Sequence, residues 1–327
     1  MNYISAINFT KKQKPEIIYL EKANPACNQL GIKIIASSLC NHSEMRSFFG
    51  NSEPGYGFSY PMKPGEPGHE AVGVVTEKGC FTDEFNIGDI VVMTGHGGDE
   101  CHRSFVIKES GCVAKIFPHD RNPAHAAMLE MFGCAYHCTK VLLKDADYEN
   151  KKVAIIGLGA IGLCALQLLK LWPIKSLTAI DVSQDKLDIS FKMQADRNIL
   201  IHPEMSTSEI KNITGEFDVV IECSGSANGH LLAYELGVQS IIFASYCPVP
   251  VTVKQSDLFN KNTTIYNPGI LTTADLKAVA TLYNKKLIDP APMISKMISP
   301  DIEKYIETIY EIKSGKIIKA LIDWRKL

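Results

Sequence analysis

Gly157-Leu158-Gly159-Ala160-Ile161-Gly162 stands between two apolar runs, Val153-Ala154-Ile155-Ile156 and Leu163–Leu169. Spaced this way, the glycines have separate tasks. Gly157 permits a tight turn, Gly159 lets the backbone approach a pyrophosphate, and Gly162 allows a helix to pack closely on a strand, with the helix N–H groups of the Ala160-Ile161 turn facing the anion. Asp181, nineteen residues after Gly162, closes the run Leu177-Thr178-Ala179-Ile180. A carboxylate at that place accepts hydrogen bonds from adenosine ribose hydroxyls. It also repels a 2′-phosphate, and Val182, Ser183 and Gln184 offer no Arg to receive one, so the pattern points to NAD rather than NADP. Lys186, Cys223 and Ser224 complete the candidate cofactor-binding set. S-adenosylmethionine methyltransferases also place glycines and an acid at such strand ends, so a second group of residues must decide the chemistry.

That second group begins with Gly68-His69-Glu70-Ala71-Val72-Gly73, which follows a Pro/Gly-rich turn and leads into an apolar run. A His-Glu pair on a loop is by itself a common surface feature. Here Cys40 lies upstream, and Glu130 lies downstream, seven residues before His137 in Glu130-Met131-Phe132-Gly133-Cys134-Ala135-Tyr136-His137. The ten cysteines include no Cys-x-x-Cys pair and are too dilute for a disulfide scaffold. Cys101 and Cys112 read as small packed residues. Cys134 and Cys138, at i and i+4, read first as core and second as a metal pair.

With the glycine fingerprint, this arrangement resembles the zinc-dependent medium-chain dehydrogenase/reductase family, which includes alcohol, sorbitol and threonine dehydrogenases. The likeness runs along essentially the whole chain and includes the Gly88-Asp89 turn and the Asp218–Glu222 strand followed by Cys223-Ser224-Gly225. It implies an α/β protein: an N-terminal GroES-like β-rich catalytic domain plus a Rossmann domain built on a doubly wound parallel sheet. It further implies that Cys40, His69 and Glu130 hold one catalytic Zn2+, with Glu70 ligating or supporting it. A thiolate, an imidazole and a carboxylate give zinc three protein ligands and leave a fourth position for water or a substrate oxygen. Relatives commonly follow the first Cys with Gly-Ser/Thr-Asp, whereas Cys40 is followed by Asn41-His42-Ser43-Glu44. His42 or Ser43 then stands where a proton relay would start, or His42 is only a loop residue, and Glu44 is the candidate acid supporting the metal. The four-cysteine lobe of many relatives is missing, so a second, structural zinc is not expected.

These residues need two scaffolds to position them. At about 100–200 residues per domain, 327 residues suit two domains. The first third carries short apolar runs (Ile17–Tyr19, Ile32–Ala36, Ala71–Val75, Ile90–Val92, Phe105–Ile107) punctuated by Gly/Pro/Asn clusters, which reads as β-rich. From about residue 151, strand and helix alternate, which implies a parallel sheet covered on both faces. The expected divisions are 1–140, a GroES-like domain; 141–268, the Rossmann domain; and 269–327, a return to the first domain, although the helix-like runs Thr273–Tyr283 and Asp301–Ile312 and the strand Ala320–Asp323 fit either. Substrate specificity is expected to lie on the loops Phe48–Pro61 and Thr94–Arg103.

Lys+Arg total 34 against Asp+Glu 36, a net charge of -2, so neither a nucleic-acid backbone nor an anionic membrane is an expected partner. Val153–Leu169 is uncharged over seventeen residues but broken by three glycines, and reads as strand plus helix rather than a membrane span. The first residues lack a signal-peptide pattern, and the cysteine usage suits a reducing cytoplasm. The expected protein is a cytoplasmic, NAD-dependent, single-zinc dehydrogenase of a secondary alcohol, polyol, amino alcohol or sugar-derived hydroxyl, assembled as a homodimer or homotetramer. A zinc-free reductase of an activated carbonyl or alkene, and a non-catalytic NAD-binding protein, are the alternatives.

Overall fold

In a computed structural model, residues 3–50, 59–94 and 100–327 are described. Parts of the two expected specificity loops, 51–58 and 95–99, lie outside them. The chain divides into two compact units, Met1–Glu130 with Thr272–Leu327, and Met131–Leu271.

In the first unit, β1 (Tyr3–Lys11) and β2 (Lys14–Glu21) form an antiparallel ribbon. β3 (Gln29–Ser38), the short helix α1 (Ser43–Phe49), β4 (Glu70–Lys78), β5 (Ile90–Met93), β6 (Phe105–Glu109) and β7 (Val113–Ile116) follow. Helix α2 (Leu129–Thr139) starts in this unit and runs into the second. β3 is nearly all buried because one side of its register pairs with β4 and the other with β6 and, further along, with a strand from the chain's end. Such a strand is enclosed on its edges and faces, which is why Ile32-Lys33-Ile34-Ile35-Ala36 is a near-continuous apolar run.

The second unit holds β8 (Lys152–Ile156), α3 (Ala160–Leu169), β9 (Ser176–Asp181), α4 (Gln184–Lys192), β10 (Arg197–Leu200), α5 (Thr207–Thr214), β11 (Phe217–Glu222), α6 (Ala227–Leu236), β12 (Gly237–Phe243), α7 (Gln255–Lys261) and β13 (Thr264–Tyr266). Its six strands are parallel, in the order β10-β9-β8-β11-β12-β13. That is the doubly wound order, in which the chain reverses direction across the sheet beside β8 and leaves a crevice at the strands' carboxyl ends. The uncharged stretch from Val153 is therefore β8 and α3, both buried because the helix lies against the sheet. Among the described residues, no helix is long and apolar enough to cross a membrane.

The chain then returns to the first unit through α8 (Thr273–Asn284), β14 (Ile294–Ile298), α9 (Ile302–Lys313) and β15 (Lys319–Asp323). α9 buries Tyr305, Thr308, Ile309 and Ile312, the i, i+3, i+4, i+7 stripe of an amphipathic helix, against a core that includes Phe9, Phe48, Leu39 and Trp324. β15 pairs antiparallel with β3, setting Leu321 opposite Ser38, and β3 sets Ser38 opposite Glu70 on β4. Three strands distant in sequence, β15-β3-β4, thus lie side by side with the ends that lead to Cys40 and Glu70 together. The C-terminal segment, which suits either domain by pattern, belongs to the first because β15 completes this sheet. The β-rich sheet and the parallel sheet are the two architectures the sequence implies.

Entry into α8 rests on a capping box. The Thr272 hydroxyl accepts from the Asp275 N–H at 3.3 Å, and the Asp275 carboxylate accepts from the Thr272 N–H at 2.9 Å. Thr272→Ala is expected to lower stability by about 1 kcal/mol and Thr272→Ser by a few tenths, read by urea unfolding.

Candidate active site

Cys40 sits two residues beyond β3, and His69 and Glu70 stand at the head of β4. One donor atom from each lies within 4.8 Å of the others. Donors bonded at zinc's ordinary distances of about 2.0–2.3 Å fall inside that spread, so this set fits a single ion of mixed thiolate, imidazole and carboxylate preference. His69 is oriented by its other nitrogen, since Nδ1 lies 2.9 Å from the Pro67 carbonyl and, as the donor, leaves Nε2 as a ligand atom. The Ser43 N–H donates to Cys40 Sγ at 3.5 Å. Glu70 is fully buried, and its Oε2 has no hydrogen-bond partner among the described residues. An orphaned carboxylate oxygen in a low-dielectric core is costly unless a cation completes it.

Lys319, at the start of β15, is also fully buried and donates to Glu70 Oε1 at 2.7 Å and to the Leu39 carbonyl at 2.9 Å. Burial alone would push the Glu70 carboxyl up, but the Lys319 ammonium and His69 outweigh it and hold it below the usual range. Burial likewise works against the Lys319 charge, and the negative groups at Glu70, Cys40 and Glu44 raise its pKa all the same. For His69, burial is again opposed, here by Cys40, Glu130 and Glu70, and the imidazole is pushed well above its ordinary value. A positive charge is thus favoured at this spot. Glu130, 5 % exposed at the start of α2, acts on His69 through its charge and lies outside the group of three converging donors.

The residues after Cys40 divide. His42 is exposed and caps α1 through its backbone, and Ser43 opens that helix. Glu44 turns inward, where its Oε1 lies 2.7 Å from His102 Nε2. The opposite nitrogen, His102 Nδ1, lies 2.8 Å from Ser37 Oγ, which also accepts from Trp324 Nε1 at 2.9 Å. Glu44 therefore anchors a buried polar chain. His137, on α2, contacts the Pro268 carbonyl at 3.0 Å.

In the second unit, a cavity of ≈ 540 Å³ opens at the carboxyl ends of β8, β9 and β11, lined by Gly157, Gly159, Asp181, Lys186, Cys223 and Ser224 among others. Gly157 has φ +89°, and a Cβ there would meet the Ser224 backbone nitrogen at 2.6 Å. A Cβ on Gly162 would sit 2.0 Å from the Gly157 carbonyl oxygen. A Cβ on Gly159, by contrast, would meet nothing within 4 Å, so here the missing side chain leaves open space in front of α3. Gly159 caps this helix, and Ala160 and Ile161 form its first turn, so their N–H groups belong to the set that can receive a phosphate. Asp181 accepts from the Leu158 N–H at 2.6 Å and the Ser183 N–H at 2.8 Å, which locks both turns of the cavity rim. Burial, reinforced by Glu222, Cys138 and Cys164, pushes the Cys223 thiol well up, so it forms a neutral wall of the cavity.

Two residues with site roles escape motif reading. Lys319 leaves one trace in the sequence, a cation inside the apolar run Ile317–Ile322. Glu222 ends a buried strand, and its carboxylate accepts from the Ser224 N–H at 2.7 Å and from the Ser245 hydroxyl, holding the turn that carries Cys223 and Ser224.

A family profile described as zinc-binding dehydrogenase matches residues 160–285. L-threonine 3-dehydrogenase of Bacillus velezensis (strain FZB42) is 26 % identical over 282 residues, covering 77 % of this chain and 80 % of the relative. Among solved structures, galactitol-1-phosphate dehydrogenase from Escherichia coli superposes with a TM-score of 0.80 at 20 % identity, covering 98 % of this chain and 99 % of that one. A short chain alcohol dehydrogenase from Escherichia coli CFT073, complexed with NADH, reaches a TM-score of 0.85 at 19 % identity over 99 % and 100 % of the two chains. Family profile, relatives and shared architecture agree with the converging donors and the glycine turn, and together they indicate the zinc-type medium-chain dehydrogenase family.

Proposed function

We propose that this protein is an NAD-dependent dehydrogenase with one catalytic zinc, acting on a secondary alcohol, polyol, amino alcohol or sugar-derived hydroxyl or on the matching carbonyl. The observation that carries the reading is the convergence of Cys40, His69 and Glu70 within 4.8 Å. The names of two similar proteins, L-threonine 3-dehydrogenase and galactitol-1-phosphate dehydrogenase, specify an amino alcohol and a polyol phosphate and support a small hydroxyl-bearing substrate. A homodimer or homotetramer in the cytoplasm is part of the same proposal.

Cys40 and His69 are the proposed invariant holders of zinc, with a carboxylate as third donor. The orphaned Oε2 favours Glu70 for that place, with Glu130 adding negative charge beside it. When bound, zinc supplies Lewis-acid polarisation of the substrate oxygen, and the nicotinamide takes up or returns the hydride. The chain's own residues do the rest. Lys319 fixes one oxygen of Glu70 and leaves the other available. The Pro67 carbonyl sets the His69 tautomer. Ser43 and the exposed His42 are the proposed carriers of the substrate proton to solvent. Gly159 and the first turn of α3 receive the pyrophosphate, and Asp181 receives the adenosine ribose while excluding a 2′-phosphate.

Metal analysis of the purified chain should give about one zinc, as three protein ligands and one open position require. Cys40→Ser and His69→Ala should each lose zinc and turnover together while NADH still binds, as read by its fluorescence. Full turnover by a metal-free chain would overturn the zinc assignment in favour of a zinc-free reductase. Lys319→Met should destabilise the fold by about 3–5 kcal/mol, because it strands the buried Glu70 carboxylate, as read by denaturant unfolding.

For the cofactor, NAD should bind at least tenfold more tightly than NADP, and Asp181→Asn should narrow that ratio. Gly159→Val should fold normally and keep its zinc, since its Cβ meets open space, yet lose dinucleotide binding in a calorimetric titration. Equal affinity of the wild-type chain for NAD and NADP would remove the role given to Asp181.

A further inference from the structure

Cys27 and Cys80 take no part in either site. They are the two exposed cysteines, whereas the other eight are buried or partly buried. Cys27 lies in the connection from β2 to β3 and Cys80 just beyond β4. These segments are bound together on both sides of the cysteines: the Gly79 N–H donates to the Gln29 carbonyl at 2.8 Å, and the Phe81 N–H to the Cys27 carbonyl at 2.7 Å. The approach is close enough that only glycine fits at 79, where a Cβ would stand 2.0 Å from the Ala26 oxygen and 2.4 Å from the Cys27 oxygen. The side chains are near enough to interact, and the Cys27 thiol raises the pKa of Cys80. Two solvent-facing thiols on segments whose backbones are hydrogen-bonded to each other stand near enough for a disulfide to be tested between them.

We propose that Cys27 and Cys80 are a redox modification site, a thiol pair that a low-molecular-weight disulfide such as oxidised glutathione converts reversibly to an intramolecular disulfide. One protein thiolate attacks a sulfur of the small disulfide, whose S–S bond breaks and releases one thiol, leaving a mixed disulfide on the chain. The second protein thiolate then attacks the protein-borne sulfur and expels the second small thiol. Two cysteine thiols are oxidised, one small disulfide is reduced to two thiols, and the two protein protons end on those products. Either cysteine can make the first attack, and its neighbour then resolves the mixed disulfide.

The bond would join the far ends of β3 and β4, where Leu30 faces Lys78, while the opposite ends lead to Cys40 and Glu70. Eight residues of strand, about 26 Å, separate the pair from the metal donors, so thiol chemistry at the two places can be read independently. A cross-link spanning so much intervening chain restricts the unfolded state and raises stability.

The test exposes the full-length chain to glutathione buffers of rising oxidised-to-reduced ratio, followed by alkylation, intact mass and peptide mapping. The expected result is the joint loss of two alkylatable thiols, a Cys27–Cys80 linked peptide, reversal by dithiothreitol and a melting temperature higher by several degrees. Cys80→Ser should accumulate one stable glutathione adduct on Cys27, whereas the wild-type chain should pass through that adduct to the linked form. Separate glutathione adducts on Cys27 and Cys80 in one wild-type chain, a link to any other cysteine, or a link between two chains would overturn the proposal.

Discussion

The buried ion pair between Lys319 and Glu70 is the constraint on which the first unit depends. A metal site made of thiolate and carboxylate gathers negative charge in a poorly solvated place, and each such group resists ionisation on its own. Lys319 makes the arrangement tolerable by placing one cation against Glu70, with Cys40 and Glu44 also within its field. To reach that spot, the chain leaves the first unit after residue 130, builds the whole parallel sheet, and comes back as β15 to lie beside β3. The late return is thus part of the site's electrostatics as well as of the core.

The same economy of contacts governs the nucleotide cavity, though steric in kind. Gly157 and Gly162 are small because backbone presses on them from Ser224 and from each other's turn, while Gly159 is small in order to leave space unfilled. Glu222 and Asp181 end neighbouring buried strands and use their carboxylates on backbone N–H groups at the cavity rim. Rigid turns of this kind place phosphate-binding N–H groups before a ligand arrives, which lowers the ordering cost of binding.

The buried chain Glu44–His102–Ser37–Trp324 occupies the space beneath the Cys40 turn. Each member bonds to the next, which helps to specify this part of the core, although Glu44 Oε2 has no hydrogen-bond partner among the described residues. Glu44, four residues after Cys40 on α1, has His102 as its partner, a residue with no motif of its own.

By itself the sequence determined the local architecture. The β-rich third, the alternation from residue 151, and the glycine fingerprint between β8 and α3 were all legible, because strand and helix periodicity and turn chemistry are short-range properties of adjacent residues. The identities of Cys40, His69 and Glu70 as candidate donors were legible for the same reason, through the Gly-His-Glu turn and its resemblance to a known family. Tertiary structure alone decided that Lys319 faces Glu70, that Glu44 serves His102, that the segments carrying Cys27 and Cys80 are hydrogen-bonded together, and that Glu70 stands among the donors that converge with Cys40 and His69. Each of these depends on strand register between segments as far apart as residues 70 and 319. Periodicity says which face of a strand is buried, but a partner across the sheet is fixed only when the whole set of strands packs into one core.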